Sequence, residues 1–161
     1  MWLEEVYEQN KKLDIEFIHK YGANLESMRD KNILSLLVEI GELANETRCF
    51  KYWSVKGPSP KEVILEEYAD VVTMVLCFCN YLHANIQNTV SDLMYRTLDL
   101  QFLELYQSVS EFRHDYTASK IETILSKVLV LGHSLGFTDQ DMKKACFRKM
   151  GIVQERLESN Y

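Results

Sequence analysis

Turn-forming residues are scarce in this chain of 161 residues, which contains only 2 prolines and 6 glycines. A protein built from many short strands needs frequent turns, so this scarcity excludes an all-β fold and favours long helices. Compositional bias is also lacking, because 47% of the residues are apolar and 26% are charged. The composition is that of a folded globular protein, and the length suits one domain spanning residues 1–161.

An excess of positive charge is absent as well. Lys and Arg number 18 against 24 Asp and Glu, which gives a formal charge of -6, whereas proteins that neutralise nucleic-acid phosphates are usually basic. The longest apolar run, residues 71–82, is too short to cross a bilayer, and the first residues lack the features of a signal peptide. We therefore expect neither nucleic acid nor a membrane as a partner.

The four cysteines lack the spacing of a disulfide framework or a zinc site. They include no CxxC pair and no Cys/His pattern. All four lie in apolar segments, as buried thiols do in proteins from a reducing compartment. We expect free thiols and a cytoplasmic protein.

Apolar residues recur at helical spacing in about six segments, which Gly, Pro and Asn residues separate. Helix starts are marked by three capping sequences, namely Ser59 to Glu62 with Pro60 at the first helical position, Ser119 with Glu122, and Thr138 with Asp141. Gly132 and Gly136 can end the fifth helix. The predicted helices cover residues 2–20, 27–50, 60–84, 87–114, 119–134 and 139–158. An all-α antiparallel bundle follows, with the third helix at its centre because residues 71–82 are apolar on almost every side.

Acidic residues recur at helical spacing on the second and third predicted helices. Glu39, Glu42 and Glu46 lie along the edge of one apolar stripe, whereas Glu67 and Asp70 project from within the next. Burying an unpaired carboxylate is costly, so a cation is expected beside them. Oxygen ligands alone select Mg²⁺, with Mn²⁺ as a substitute, over zinc or copper. Because Mg²⁺ keeps open positions for phosphate oxygens, the pattern implies a phosphorylated substrate.

Two weaker interpretations compete with this metal site. An ExxE pair on its own is common on solvated helix faces, and only the second pair, inside an apolar stripe, favours a cation. Two ExxH pairs, Glu16 with His19 and Glu111 with His114, are the type of ligand that a di-iron bundle uses. Both pairs lie opposite the apolar stripe of their helix, so we predict that they are surface residues.

The spacing Glu39-x-x-Glu42, then Glu67-x-x-Asp70, resembles the ExxE and ExxD motifs of the all-α nucleoside triphosphate pyrophosphatases, which include MazG-like enzymes and the dimeric dUTPases. The segment EIGELANETRCFKYWS, residues 39–54, is similar to the dimeric dUTPase branch, where an FKYW-type motif follows the first acidic pair. Both ends of the chain resemble that branch too, in the opening residues Gln9, Asn10, Leu13 and Asp14 and in the closing residues Lys149, Arg156 and Tyr161.

The resemblance implies a homodimer that uses Mg²⁺ to hydrolyse a deoxynucleoside triphosphate to the monophosphate and pyrophosphate. The expected substrate is dUTP. The resemblance also implies four metal ligands, which are Glu39, Glu42, Glu67 and Asp70. Glu39 is also the predicted catalytic residue, which orients or deprotonates the attacking water. The predicted substrate contacts are Asn10 at the base edge, Trp53 stacked on the base, and Lys51, Lys149 and Arg156 at the phosphates.

Four departures from the family pattern leave alternatives open. Thr73 and Met74 stand where a His-Phe pair is expected, and Met150 and Val153 stand where the family has asparagines. One alternative is a dCTP or broader dNTP pyrophosphatase of the MazG-like type. Another is a non-catalytic helical protein that binds a nucleotide or a partner.

Overall fold

The computed structural model describes residues 2–88 and 96–159. Those two ranges hold six α-helices and no strand. The helices are α1 (Trp2–Tyr21), α2 (Arg29–Thr47), α3 (Lys61–Tyr81), α4 (Leu98–His114), α5 (Ala118–Ser134) and α6 (Asp139–Glu158). The prediction of an all-α fold with about six helices is confirmed.

Helix α3 lies at the centre of the molecule. It packs against α1, α2, α5 and α6, whereas α4 packs on the outside against α2 and α5. Tyr68, Val72 and Leu76 are completely buried along it. A helix that is apolar on nearly all sides gains about 25 cal/mol per Å² by burying that surface, and α3 can do so only with neighbours all around it. The predicted central helix is therefore confirmed.

The capping sequence at the start of α6 forms as predicted. Thr138 Oγ1 accepts a hydrogen bond from the Asp141 amide at 3.1 Å, and Asp141 Oδ2 accepts one from the Thr138 amide at 3.0 Å. These reciprocal bonds satisfy two amides that a helix start leaves without partners.

The other two predicted capping boxes are wrong, because tertiary partners take the side chains. The Ser59 hydroxyl donates to the Glu46 carboxylate on α2, and Pro60 occupies the N-cap position without a side-chain bond. Helix α5 begins after Thr117, and Glu122 accepts hydrogen bonds from the backbone amide of Asn85 and from a nearby asparagine side chain.

Three helices are shorter than predicted. Helix α2 ends at Thr47 and α3 ends at Tyr81, and Arg48 and His83, which follow them, adopt left-handed φ values of 56° and 52° that do not continue a right-handed helix. Helix α4 begins at Leu98 instead of residue 87, and residues 89–95 lie outside the described ranges. Just before these residues, Asn85 Oδ1 accepts a hydrogen bond from the Gln87 amide at 3.0 Å. This local turn competes with helix formation at residue 87, where the predicted fourth helix begins.

The surface predictions agree with the structure where it describes them. Both ExxH pairs have exposed side chains, at Glu16, His19, Glu111 and His114. All four cysteines are free thiols. In the described ranges, the helices are too short or too polar to span a bilayer.

Candidate active site

Three of the predicted metal ligands meet where α2 packs against α3. One carboxylate oxygen from each of Glu39, Glu67 and Asp70 lies within 4.8 Å of the other two. Glu39 belongs to α2, and the other two share a face of α3 because residues three apart are neighbours on a helix. Oxygens on opposite sides of one hard cation are about 4–5 Å apart, so this arrangement can hold a divalent ion.

Glu42, the fourth predicted ligand, lies at the edge of this cluster. Its side chain is exposed, and its oxygens do not belong to the close group of three. Its negative charge nevertheless contributes to raising the pKa of Glu39 and of Glu67. Glu42 is therefore near enough to influence the cluster electrostatically.

The three clustered carboxyl groups repel one another in a partly desolvated place. Burial, followed by the charges of Asp70 and Glu42, raises the pKa of Glu39 to about 7. Burial and the same two charges raise the pKa of Glu67. Burial also raises the pKa of Asp70, although Lys149 opposes this effect. Lys149 therefore offsets only part of the negative charge of the cluster.

One carboxylate oxygen in the cluster has the properties expected of a cation ligand. Glu39 Oε2 is buried and has no hydrogen-bond partner in the described part of the chain. A buried acceptor without a donor is destabilising. An oxygen-only donor set of this charge fits a hard divalent cation and not a soft one.

Helix α6 brings two predicted cations towards the acids. Lys149 Nζ lies 2.6 Å from Asp70 Oδ1. The charge of Arg156, two turns further along α6, contributes to lowering the pKa of Asp70 even though its side chain is exposed. Both residues can therefore act electrostatically on an anion bound near the carboxylates.

A cleft of about 290 Å³ opens beside the carboxylate cluster. Glu39, Asp70 and Lys149 line its charged part. The lining then follows one face of α3 through Thr73, Met74, Cys77, Phe78 and Tyr81. From Asp70 to Tyr81 this face runs roughly 16 Å along the helix axis. The carboxylate cluster thus lies at one end of the cleft, and aromatic side chains lie at the other.

The four departures from the family pattern all belong to this cleft. Thr73, Met74, Met150 and Val153 are among its lining residues. The substitutions therefore change the wall against which a ligand packs, while the carboxylate cluster next to them is kept.

Asn10 lies in the cleft wall with only 4% of its surface exposed. Its Nδ2 donates to the Thr73 carbonyl at 3.1 Å and to Cys77 Sγ at 3.4 Å. Asp14 lines the cleft one turn further along α1 and accepts a hydrogen bond from Asn80 Nδ2 at 3.0 Å. Sequence reasoning gave no role to Cys77 or Asn80. The available signal was their spacing of three on α3, opposite two polar residues spaced by four on α1.

Lys51 and Trp53 lie in the segment between α2 and α3, apart from the residues that line the cleft in the described chain. Trp53 is 66% exposed and contacts the Tyr52 ring edge-on, with the centroids 5.1 Å apart. Lys51 Nζ lies 5.6 Å from the centre of the Phe50 ring. Neither residue is therefore among those that line the cleft in the described chain.

Comparison with known proteins identifies the family. No curated protein matches the chain. A family model described as dUTPase matches residues 2–161, which is almost the whole chain. The all-α fold agrees with the MazG-like branch of these enzymes. The chain therefore belongs to the dUTPase family and is a nucleoside triphosphate pyrophosphatase that hydrolyses dUTP.

Proposed function

We propose that dUTP lies along the cleft, with its triphosphate at the carboxylate end and its uracil ring at the aromatic end. The polarity of the cleft carries this proposal. Glu39, Asp70 and Lys149 line one end, and Phe78 and Tyr81 line the other. A nucleotide has the same polarity, because a charged phosphate chain and a flat, largely apolar ring stand at its two ends.

Mg²⁺ is the cation that we propose for the carboxylate cluster. Glu39, Glu67 and Asp70 supply the close oxygens, and Glu42 at the edge is the fourth proposed ligand. Hard oxygen ligands suit Mg²⁺ and its substitute Mn²⁺. When bound, the cation neutralises the negative charge that develops on the phosphate oxygens during hydrolysis.

The side chains around the cluster have separate proposed roles in catalysis and substrate binding. Glu39 is the proposed catalytic base, because its buried Oε2 has no hydrogen-bond partner in the described chain and can accept a proton from the attacking water. Lys149 donates to a phosphate oxygen once it leaves Asp70. Arg156 can bind the outer phosphates through its two parallel N–H groups, and Asn10 contacts the base edge.

We also propose that residues 1–161 act as one domain in the cytoplasm. The cleft is lined by residues of α1, α2, α3 and α6, so no single pair of helices forms it. The free thiols suit a reducing compartment, and that compartment is where an enzyme of the nucleotide pool meets its substrate.

A homodimer is the assembly that we propose. Tyr52 is 93% exposed, and Trp53 beside it is 66% exposed. Contiguous exposed aromatic surface of this kind marks an interaction site. Lys51 and Trp53 stay predicted substrate contacts, to be tested in the assembled protein. We expect light scattering at micromolar concentration to give the mass of two chains, and the mass of one chain would contradict the proposal.

Removal of the metal tests the proposed chemistry directly. With Mg²⁺, the protein should convert dUTP to dUMP and pyrophosphate, because the cation offsets charge that the carboxylates alone would repel. Excess chelator should abolish pyrophosphate release, and added Mg²⁺ or Mn²⁺ should restore it. Full activity in excess chelator would contradict the metal proposal. Stronger release from dCTP than from dUTP would contradict the proposed base.

A further inference from the structure

Four side chains form a hydrogen-bonded network beside the cleft, and none of them has a role in the hydrolysis proposed above beyond the contact of Asn10 with the base. Asn10 Nδ2 donates to Cys77 Sγ at 3.4 Å, and the Cys77 thiol lies close enough to Asp14 for the interaction between them to lower the pKa of Asp14 and raise that of Cys77. Asn80 Nδ2 donates to Asp14 Oδ2 at 3.0 Å. Helix α1 supplies two members and α3 the other two. The network therefore joins the two helices at the wall of the cleft.

This network determines which end of the Asn10 amide is available to a ligand. A backbone carbonyl can only accept a hydrogen bond, so the amide nitrogen of Asn10 has to face Thr73 O, which is 3.1 Å away. The second N–H of that nitrogen goes to Cys77 Sγ. Both donors of the amide are then occupied. The acceptor Oδ1 is the group that Asn10 can offer to the base.

The protonation state of Cys77 keeps the network in this arrangement. Burial raises the pKa of the Cys77 thiol far above its ordinary value, so the group stays S–H. It can then donate to Asp14 and accept from Asn10 at the same time. Asp14 is held in turn by Asn80, and burial raises the pKa of Asp14 as well.

We propose that Cys77, Asp14 and Asn80 are positioning residues that fix the Asn10 amide as an acceptor and thereby select uracil over cytosine. This inference rests on the proposed placement of the base in the cleft. Uracil carries a hydrogen on N3 at its pairing edge, whereas N3 of cytosine is an unprotonated acceptor. An amide oxygen held opposite N3 accepts a hydrogen bond from uracil and repels the lone pair on N3 of cytosine. Cys77 lies about 10 Å along α3 from Asp70, which separates the base from the phosphates.

The substitution Cys77→Ala tests the network. It removes the acceptor for the second Asn10 N–H, so the Thr73 carbonyl is left as the partner of that nitrogen and the amide is held less firmly in its orientation. We expect the ratio of kcat/KM for dUTP to kcat/KM for dCTP to fall roughly tenfold, the usual worth of one hydrogen bond. Cys77→Ser keeps a donor and an acceptor at this position and should recover most of the ratio. Asp14→Asn tests the same network from α1 if Cys77→Ala does not fold.

A matched control lies two residues away on the same helix. Cys79→Ala makes the same chemical change, the removal of a thiol. Cys79, however, is fully buried in the core and is not among the residues that line the cleft. We expect the substitution to lower stability and leave the dUTP to dCTP ratio unchanged. Equal losses on both substrates in Cys77→Ala, or an equal change of the ratio in Cys79→Ala, would overturn the inference. A wild-type protein that hydrolyses dUTP and dCTP equally well would overturn this inference alone, whereas turnover of neither would overturn the proposed function.

Discussion

Replacing Glu67 with Gln and Asp70 with Asn together is expected to lower kcat/KM for dUTP by about 10³-fold or more. Their oxygens and that of Glu39 lie within 4.8 Å of one another, and neutral amides at two of these positions bind a hard cation poorly. A loss of several kcal/mol of transition-state stabilisation corresponds to this factor, because each 1.4 kcal/mol is about tenfold. Pyrophosphate release under saturating Mg²⁺ measures it.

The same double variant should remain folded, which separates a functional loss from unfolding. The Asp70 charge contributes to raising the pKa of both Glu39 and Glu67, so removing it relieves repulsion in the metal-free protein. The largely buried ion pair with Lys149 is lost as well, but the amide oxygen of an asparagine at this position can still accept a hydrogen bond from Lys149 Nζ. We expect a thermal midpoint close to that of the wild type without metal and no further rise when Mg²⁺ is added. Residues that reduce stability while they serve a reaction behave in this way.

Glu66→Gln provides the matched control. Glu66 is adjacent to Glu67 on α3 but has an exposed side chain, so the substitution removes one charge of the same helix without touching the cluster. We expect its activity to stay within about twofold of the wild type, since surface substitutions change little. Turnover by the Glu67 and Asp70 double variant within tenfold of Glu66→Gln would contradict the proposed ligands.

Periodicity in the sequence predicts those parts of the fold that depend on one helix at a time. The apolar run at 71–82 is enough to predict that α3 is central, because such a helix can be satisfied only by neighbours on all sides. The capping boxes show the limit. Thr138 meets its predicted partner three residues on, whereas Ser59 meets Glu46 from another helix. A local pattern cannot exclude a competing tertiary partner.

In the candidate site, too, spacing within one helix predicts some features, whereas others depend on how the helices pack together. The spacing of Glu67 and Asp70 within an apolar stripe predicts that both point inward, and both contribute to the cluster. The spacing of Glu39 and Glu42 cannot predict that the first is partly buried and the second exposed, because this depends on how α2 is rotated against α3. The contact of Asn10 with Cys77 joins residues 67 positions apart. No periodicity within one helix carries such information.

Gly132→Ala is expected to destabilise the protein by about 2–3 kcal/mol, although alanine is the better helix former. The sequence suggests Gly132 as a helix end, but it lies inside α5, which continues to Ser134. A Cβ at this position would lie 2.4 Å from Tyr68 Oη and 2.6 Å from Met142 Sδ. The thioether can move, but Tyr68 is completely buried and its hydroxyl donates to the Val128 carbonyl at 3.0 Å. Any shift of the ring therefore breaks a buried hydrogen bond. Urea unfolding of the metal-free protein measures the change.

Gly151→Ala is the control for this prediction, because it makes the same chemical change in another helix. Gly151 lies within α6, and a Cβ there would have no atom within 4 Å among the described residues. Without a clash, only the backbone effect of replacing glycine remains, and we expect a stabilisation of about 0.5–1 kcal/mol. The two variants should thus change the free energy of unfolding in opposite directions. If Gly132→Ala also stabilised the protein, α5 and the Tyr68 ring would have room for the added methyl group. The close contact of Gly132 on α5 with Tyr68 on α3 would then be wrong.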